Sequence, residues 1–101
     1  MSTSETRITV FARIKAKQGM ADQVKERLLA LIPPTREEDG CIIYELHQSA
    51  DDETLFMFYE NWASRAALEA HLKQPHLEET VRATSDLLAE PPLIQVFDRI
   101  G

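Results

Sequence analysis

The stretch Leu55-Phe56-Met57-Phe58-Tyr59-Glu60-Asn61-Trp62 decides how the rest of the chain has to fold. Side chains at i and i+2 of a strand share a face, so Leu55, Met57 and Tyr59 lie on one side. Phe56, Phe58 and Trp62 lie on the other, with Glu60 set among them. A strand with one wet face alternates apolar with polar residues, whereas this one is apolar on both faces. It reads as a central strand covered twice. The chain's own helices supply one cover, and a partner surface has to supply the other.

Before it, residues 7–16 read as a first strand, with Ile8, Val10, Ala12 and Ile14 on one face and Thr9, Phe11, Arg13 and Lys15 on the other. Lys17-Gln18-Gly19 is a turn. Asp22 follows where a negative charge favours a helix start, and Val24, Leu28, Leu31 and Ile32 recur at helical spacing. Pro33-Pro34 is expected to interrupt that helix, because proline lacks the backbone donor and clashes with the preceding turn. A kink, or a restart as a short helix over residues 35–39, is the expected outcome, with Gly40 at the left-handed position that ends it. Residues 41–48 form strand two, placing Ile42, Tyr44 and Leu46 opposite Ile43, Glu45 and His47. The polar turn 49–53 joins it to the central strand as a hairpin.

After the central strand, Ser64 caps a helix carrying Leu68 and Leu72, in which Ala66, Ala67 and Ala70 allow close approach. Pro75 breaks it. A further helix over about residues 76–88 puts Leu77, Val81, Thr84 and Leu88 on one stripe, Pro91-Pro92 ends it, and residues 93–100 form the last strand. The order is strand-helix-strand twice. Connection handedness then favours an α+β architecture, a ferredoxin-like split βαβ sheet with helices on one face. Its other face carries a bulky patch larger than monomers usually expose, which predicts a homodimer stacked sheet to sheet.

Composition narrows the function. A chain of 101 residues is expected to hold one domain over residues 7–101, behind a short tail at 1–6 with no apolar core and hence no signal-peptide character. The net charge of −6 excludes nucleic acid as a partner, since affinity for phosphate backbones needs clustered Lys and Arg. No apolar run approaches the ~18 residues of a membrane span, so no membrane is expected either. The lone Cys41 excludes an intrachain disulfide and makes the cytoplasm the expected compartment.

Several side chains could carry chemistry, and each also has an ordinary structural reading. Trp62 is either core packing or a flat aromatic wall with an N–H donor. His71, on the shoulder of its helix's apolar stripe, is either a satisfied histidine or a proton-transfer group. His76 follows Pro75 at a helix start, where the backbone dipole disfavours the imidazolium; it is a surface cap or a neutral acceptor. Glu60 among aromatics must pair, bond or stay protonated, unless it lies at a rim in an ion pair. Tyr44 offers a hydroxyl or merely fills the core. His71 and His76 are five apart with a proline between them and do not share a helical face, so no metal site is expected. Cys41 has no adjacent base and reads as a small core residue. Glu37-Glu38-Asp39 reads as a solvated edge with no special role.

Taken together, Glu38-Asp39-Gly40-Cys41 with Tyr44, then Phe58-Tyr59-Glu60-Asn61-Trp62, Leu68-Glu69-Ala70-His71-Leu72 and Gln74-Pro75-His76 resemble the antibiotic biosynthesis monooxygenase (ABM) family of dimeric α+β barrels. The resemblance runs from Ile8 to Phe97, and Ile32-Pro33-Pro34 with the Glu–His spacing is most similar to the quinol-monooxygenase branch. It implies one pocket per subunit between sheet and helices, a small aromatic substrate, dioxygen, and no cofactor. By this resemblance His71 is the general base and Trp62 lines the cavity; the residue chemistry adds Phe56 and Phe58 to sandwich the ring and Glu60, Tyr44 and His76 to hold polar groups. Two alternatives stay open on the same fold: an isomerase of a small polar signal metabolite, and a dimer that only binds an aromatic ligand. Haem cleavage is disfavoured, because that branch resembles a set with an asparagine on the first strand and Asn61 is the only asparagine here.

Overall fold

A computed structural model describes residues 7–101; the expected tail at 1–6 lies outside the described residues. The elements are β1 (Ile8–Lys15), α1 (Ala21–Ala30), α2 (Ile32–Arg36), β2 (Cys41–Gln48), β3 (Leu55–Trp62), α3 (Arg65–His71), α4 (Pro75–Thr84), a 3₁₀ turn (Ser85–Leu87) and β4 (Leu93–Phe97). The sheet order is β2-β3-β1-β4, antiparallel throughout. This is the ferredoxin-like α+β sheet that the strand-helix-strand repeat implies, with the double-apolar β3 and β1 at its centre.

Alternation sorts the two faces. Val10, Ala12 and Ile14 pair with Glu60, Phe58 and Phe56, and all six are buried. Against them pack Val24 and Leu28 of α1, Leu31 behind it, and Leu68 of α3. The opposite face carries Phe11 between Tyr59 and Phe97, with ring centroids 5.5 and 5.4 Å away. Phe11, Leu93 and Phe97 are all exposed there.

Local chemistry accounts for most helix ends. Ser64 is extended and its hydroxyl accepts the Ala67 N–H at 3.1 Å, capping α3 as its position suggests. The prolines behave differently from expectation. The helix does restart as a short second one, but over Ile32–Arg36 rather than residues 35–39, because Pro33 and Pro34 occupy the first turn of α2, where a missing N–H leaves no helical bond unmade. Gly40 then adopts φ +85° and turns the chain into β2.

Strand β2 contains the main departure from simple alternation. Cys41 pairs with Trp62 and Ile43 with Asn61, so Ile42 is an extra residue in a bulge. Cys41, not Ile42, therefore shares the helix-side face with Tyr44 and Leu46, and Ile42 is exposed. The last helix is also shorter than its apolar stripe suggests. It stops at Thr84, whose hydroxyl donates to the Thr80 carbonyl at 2.8 Å, and Leu87 and Leu88 reach the core from the 3₁₀ turn. Strand β4 ends at Phe97, opposite Thr9, rather than at residue 100. No helix among the described residues is long and apolar enough to cross a membrane.

Candidate functional site

Between the sheet and the helices lies a cavity of about 710 Å³. Its floor is the buried face of the sheet, with Val10, Ala12, Phe58, Tyr44 and Glu60, and α3 and α4 wall it with Leu68, His71, Leu77 and Val81. Exposed Leu72, Val81 and Ile94 mark its rim. The volume falls within the range of about 300–1,000 Å³ typical of small-molecule sites.

The polar residues of this wall include Glu78, Thr80, Arg82 and Thr84 along α4, and Tyr44, Glu60 and His71 deeper in. Glu60 is 4% exposed, and its Oε1 accepts the indole N–H of Trp62 at 2.9 Å. Burial pushes its carboxyl up from 4.5 to about 7; the Trp62 N–H opposes the rise and the Glu38 charge adds to it. Tyr44 stacks on Phe58 at 4.8 Å and meets His71 edge-on at 5.6 Å. Its phenol is driven far above its usual value, first by burial and then by the Glu60 charge, so Tyr44 stays a neutral hydroxyl.

His71 closes α3 with its ring against Trp62, centroids 4.6 Å apart. Its Nδ1 lies 3.1 and 3.0 Å from the two carboxylate oxygens of Glu38. The same Glu38 takes a second contact, His76 Nε2 at 2.6 Å. An ionised carboxylate only accepts, so both histidine nitrogens must donate. This places the His71 proton on Nδ1 and leaves its Nε2 lone pair without a hydrogen-bond partner among the described residues, on a ring that lines the cavity. Burial lowers the pKa of His71, with the Glu38 bond opposing and His76 adding to the shift, so the ring is neutral near pH 7.

Three of the seven candidate residues lie outside the cavity wall. Phe56 is buried opposite Ile14, deeper in the core, and Trp62 stands behind His71 and Glu60 rather than against the open space. His76 contacts Glu38 on the far side of His71. Tyr44, Phe58, Glu60 and His71 do line the wall. The reading of Glu38 as a solvated edge is overturned: its side chain is 8% exposed and joins two histidines. The spacing argument that kept His71 and His76 apart fails for the same reason. They meet through a residue 33 and 38 positions away, which no helical periodicity reports.

A prediction follows for Glu60. A carboxyl whose folded pKa lies above its unfolded value contributes stability fully below the unfolded value and loses it as pH rises through the folded one. For Glu60 that window runs from 4.5 to about 7. Relative to Glu60→Gln, which keeps an acceptor for Trp62, the wild type should lose roughly 3 kcal/mol across it. Urea midpoints taken on both sides of the window check this; parallel pH profiles for the two proteins would refute it.

A ferredoxin-like sheet with a largely apolar cavity under its helices, and in its wall a histidine held from behind by a carboxylate, defines a class of small-molecule α+β proteins. Within it, residues 7–83 match the family model for antibiotic biosynthesis monooxygenase, and the chain belongs to that family. It is 36% identical over 90 residues to "Putative monooxygenase Rv0793" of Mycobacterium tuberculosis, covering 89% of this chain and 88% of that protein. It is 30% identical over 82 residues to "Probable quinol monooxygenase YgiN" of Escherichia coli, covering 70% and 78%. A Synechocystis protein is 34% identical, and the chain spans 61% of its length. Among solved structures, PA3566 from Pseudomonas aeruginosa superposes with a TM-score of 0.91 at 35% identity, covering 99% of this chain and 100% of that one.

Proposed function

We propose that this chain is a cytoplasmic, dimeric monooxygenase that oxidises a quinol or polycyclic phenol with dioxygen. The observation that carries the reading is His71: a neutral imidazole in the wall of an apolar cavity, its tautomer set by Glu38 so that Nε2 is free to take a proton. A phenolic hydroxyl is the natural donor. Removing its proton gives an electron-rich anion able to reduce dioxygen directly. For a quinol the overall change is quinol plus dioxygen to hydroxyquinone plus water, and the substrate supplies all the electrons, so no flavin or metal is required. The quinol-named Escherichia coli relative supports the substrate class.

The remaining groups divide the work. Phe58 and Tyr44 give the ring an aromatic floor, while the Glu60 carboxyl and the Tyr44 hydroxyl reach the substrate's oxygens. Trp62 acts through His71 and Glu60, holding one ring and one carboxyl, and so positions them. A panel of quinols in an oxygen electrode tests the proposal. Stoichiometric oxygen uptake is the expected result; turnover that continues unchanged without oxygen would replace it with the isomerase reading.

The dimer is the second part of the proposal. The outer sheet face exposes Phe11, Leu93 and Phe97 beside half-buried Met57 and Tyr59, and a second copy of the same sheet matches this surface. Sedimentation velocity at micromolar concentration should give a dimer for the wild type and a monomer for Phe11→Glu. A monomeric wild type would remove the dimer from the proposal.

A further inference from the structure

Behind His71, on the side away from the cavity, Glu38, His71 and His76 bring a carboxylate oxygen and two imidazole nitrogens within 4.8 Å of one another. We propose that these three residues form a binding site for a divalent first-row transition ion, with zinc the best fit, and that the ion silences His71. The second half rests on the base role proposed above; the binding itself does not.

The donor set fits the ion. Two neutral imidazoles and one carboxylate are ligands that zinc accepts in sites that keep a fourth position for water. With metal–ligand bonds near 2.0–2.2 Å, tetrahedral donor atoms sit about 3.3 Å apart. The two contacts at Glu38 measure 2.6 and 3.0 Å and all three donor atoms lie within 4.8 Å of one another, so modest shifts of the three side chains bring them to that spacing. The site is also built rather than incidental. The His71 and Glu38 side chains are 4% and 8% exposed, while His76, at 24%, faces outward and leaves the ion a route in. Neither Glu38 nor His76 lines the cavity, so the ion would not touch a bound substrate.

Its effect on His71 follows from the tautomer. The ligating atom is Nδ1, which carries the proton when Glu38 is its only partner. An ion on Nδ1 needs that lone pair, so the proton moves to Nε2, the nitrogen that otherwise faces substrate as a base. The ring then presents a donor where an acceptor was. Turnover stops without any change in the cavity's shape.

Cobalt(II) and zinc titrations of the full chain, followed by visible absorption and calorimetry, test the site without reference to activity. One ion per chain is expected. Glu38→Gln and His76→Gln should each weaken binding by on the order of 100-fold or more, since each removes a ligand outright. His47→Gln, at the exposed Glu45–His47 pair, should leave it unchanged. Nitrogen NMR of the imidazoles should show His71 changing from the Nδ1–H to the Nε2–H form as zinc is added, which also covers the case of a variant that folds poorly. No binding at micromolar zinc, binding that depends on His47 instead, or an unmoved His71 tautomer would overturn the inference. Binding with the tautomer change in a protein that oxidises no quinol would uphold the metal site and sink the oxygenase reading alone.

Discussion

His71→Ala should abolish quinol-dependent oxygen uptake, lowering kcat by about a thousand-fold, while the far-ultraviolet dichroism and the sedimentation coefficient stay as in the wild type. The magnitude is the middle of the range of about 10²–10⁴ that a positioned general base contributes. Among the described residues, the substitution removes the one histidine of the cavity wall, and the two buried titratable groups nearest it are poor substitutes. Tyr44 holds its proton far beyond neutral pH, and Glu60 is about half protonated near pH 7. Truncation also leaves a hollow beside Trp62 and Glu38 with one fewer donor, but Glu38 keeps His76. The hollow is open to the cavity, so added imidazole should enter it and restore part of the rate. Rescue of this kind separates lost chemistry from lost structure. Unchanged turnover in His71→Ala would remove His71 from the mechanism, and Glu60 would become the candidate base.

The parts of this site that could be read from the sequence are those set by neighbours along the chain. The period of two in β3 puts Phe58 and Glu60 on one face with Trp62, and the folded sheet keeps them there because strand pairing preserves that alternation. Ser64 and Pro75 mark helix starts through chemistry confined to one turn, whereas Gly40 does not end α2, whose C-cap is Glu37, but supplies the left-handed turn into β2. What could not be read depends on the packing of separate elements. The bulge at Ile42 shifts one residue against β3, and nothing in Cys41-Ile42-Ile43 distinguishes a bulged isoleucine from a paired one. Glu38 looked solvated because it sits in an acidic run, whereas its surroundings come from α3 and α4. The one signal that bore on it was the Glu38-Asp39-Gly40-Cys41 motif, which marks the position without saying what the carboxylate meets.

The largest stability loss is expected at Gly40, where two independent constraints coincide. Its φ of +85° is one that L side chains rarely adopt, and a Cβ built there would lie 2.5 Å from the Cβ of Ala67 on α3. The backbone conformation alone costs roughly 1–2 kcal/mol for a non-glycine residue, and overpacking of this kind typically adds about 1–3 kcal/mol. Gly40→Ala should therefore destabilise the fold by roughly 2–5 kcal/mol, which for a domain of this size lowers Tm by about 10 °C or more. Gly19 supplies the control: its φ is +83° but nothing lies within 4 Å of the added Cβ, so Gly19→Ala should lose only the conformational part. The steric part can be isolated as well. In Gly40→Ala/Ala67→Gly the two methyl groups no longer meet, so the pair should recover stability relative to Gly40→Ala despite the roughly 1 kcal/mol that glycine costs within a helix. The position also bears on function, because the Gly40 carbonyl accepts the Ala63 N–H at 2.8 Å and the Cys41 N–H donates to the Glu38 carbonyl at 3.2 Å. A chain pushed away from α3 at this point carries Glu38 away from His71, so residual Gly40→Ala protein should lose activity beyond its loss of folded population. Equal Tm values for Gly40→Ala and Gly19→Ala would show that α3 is not packed against this turn as closely as the 2.5 Å approach requires.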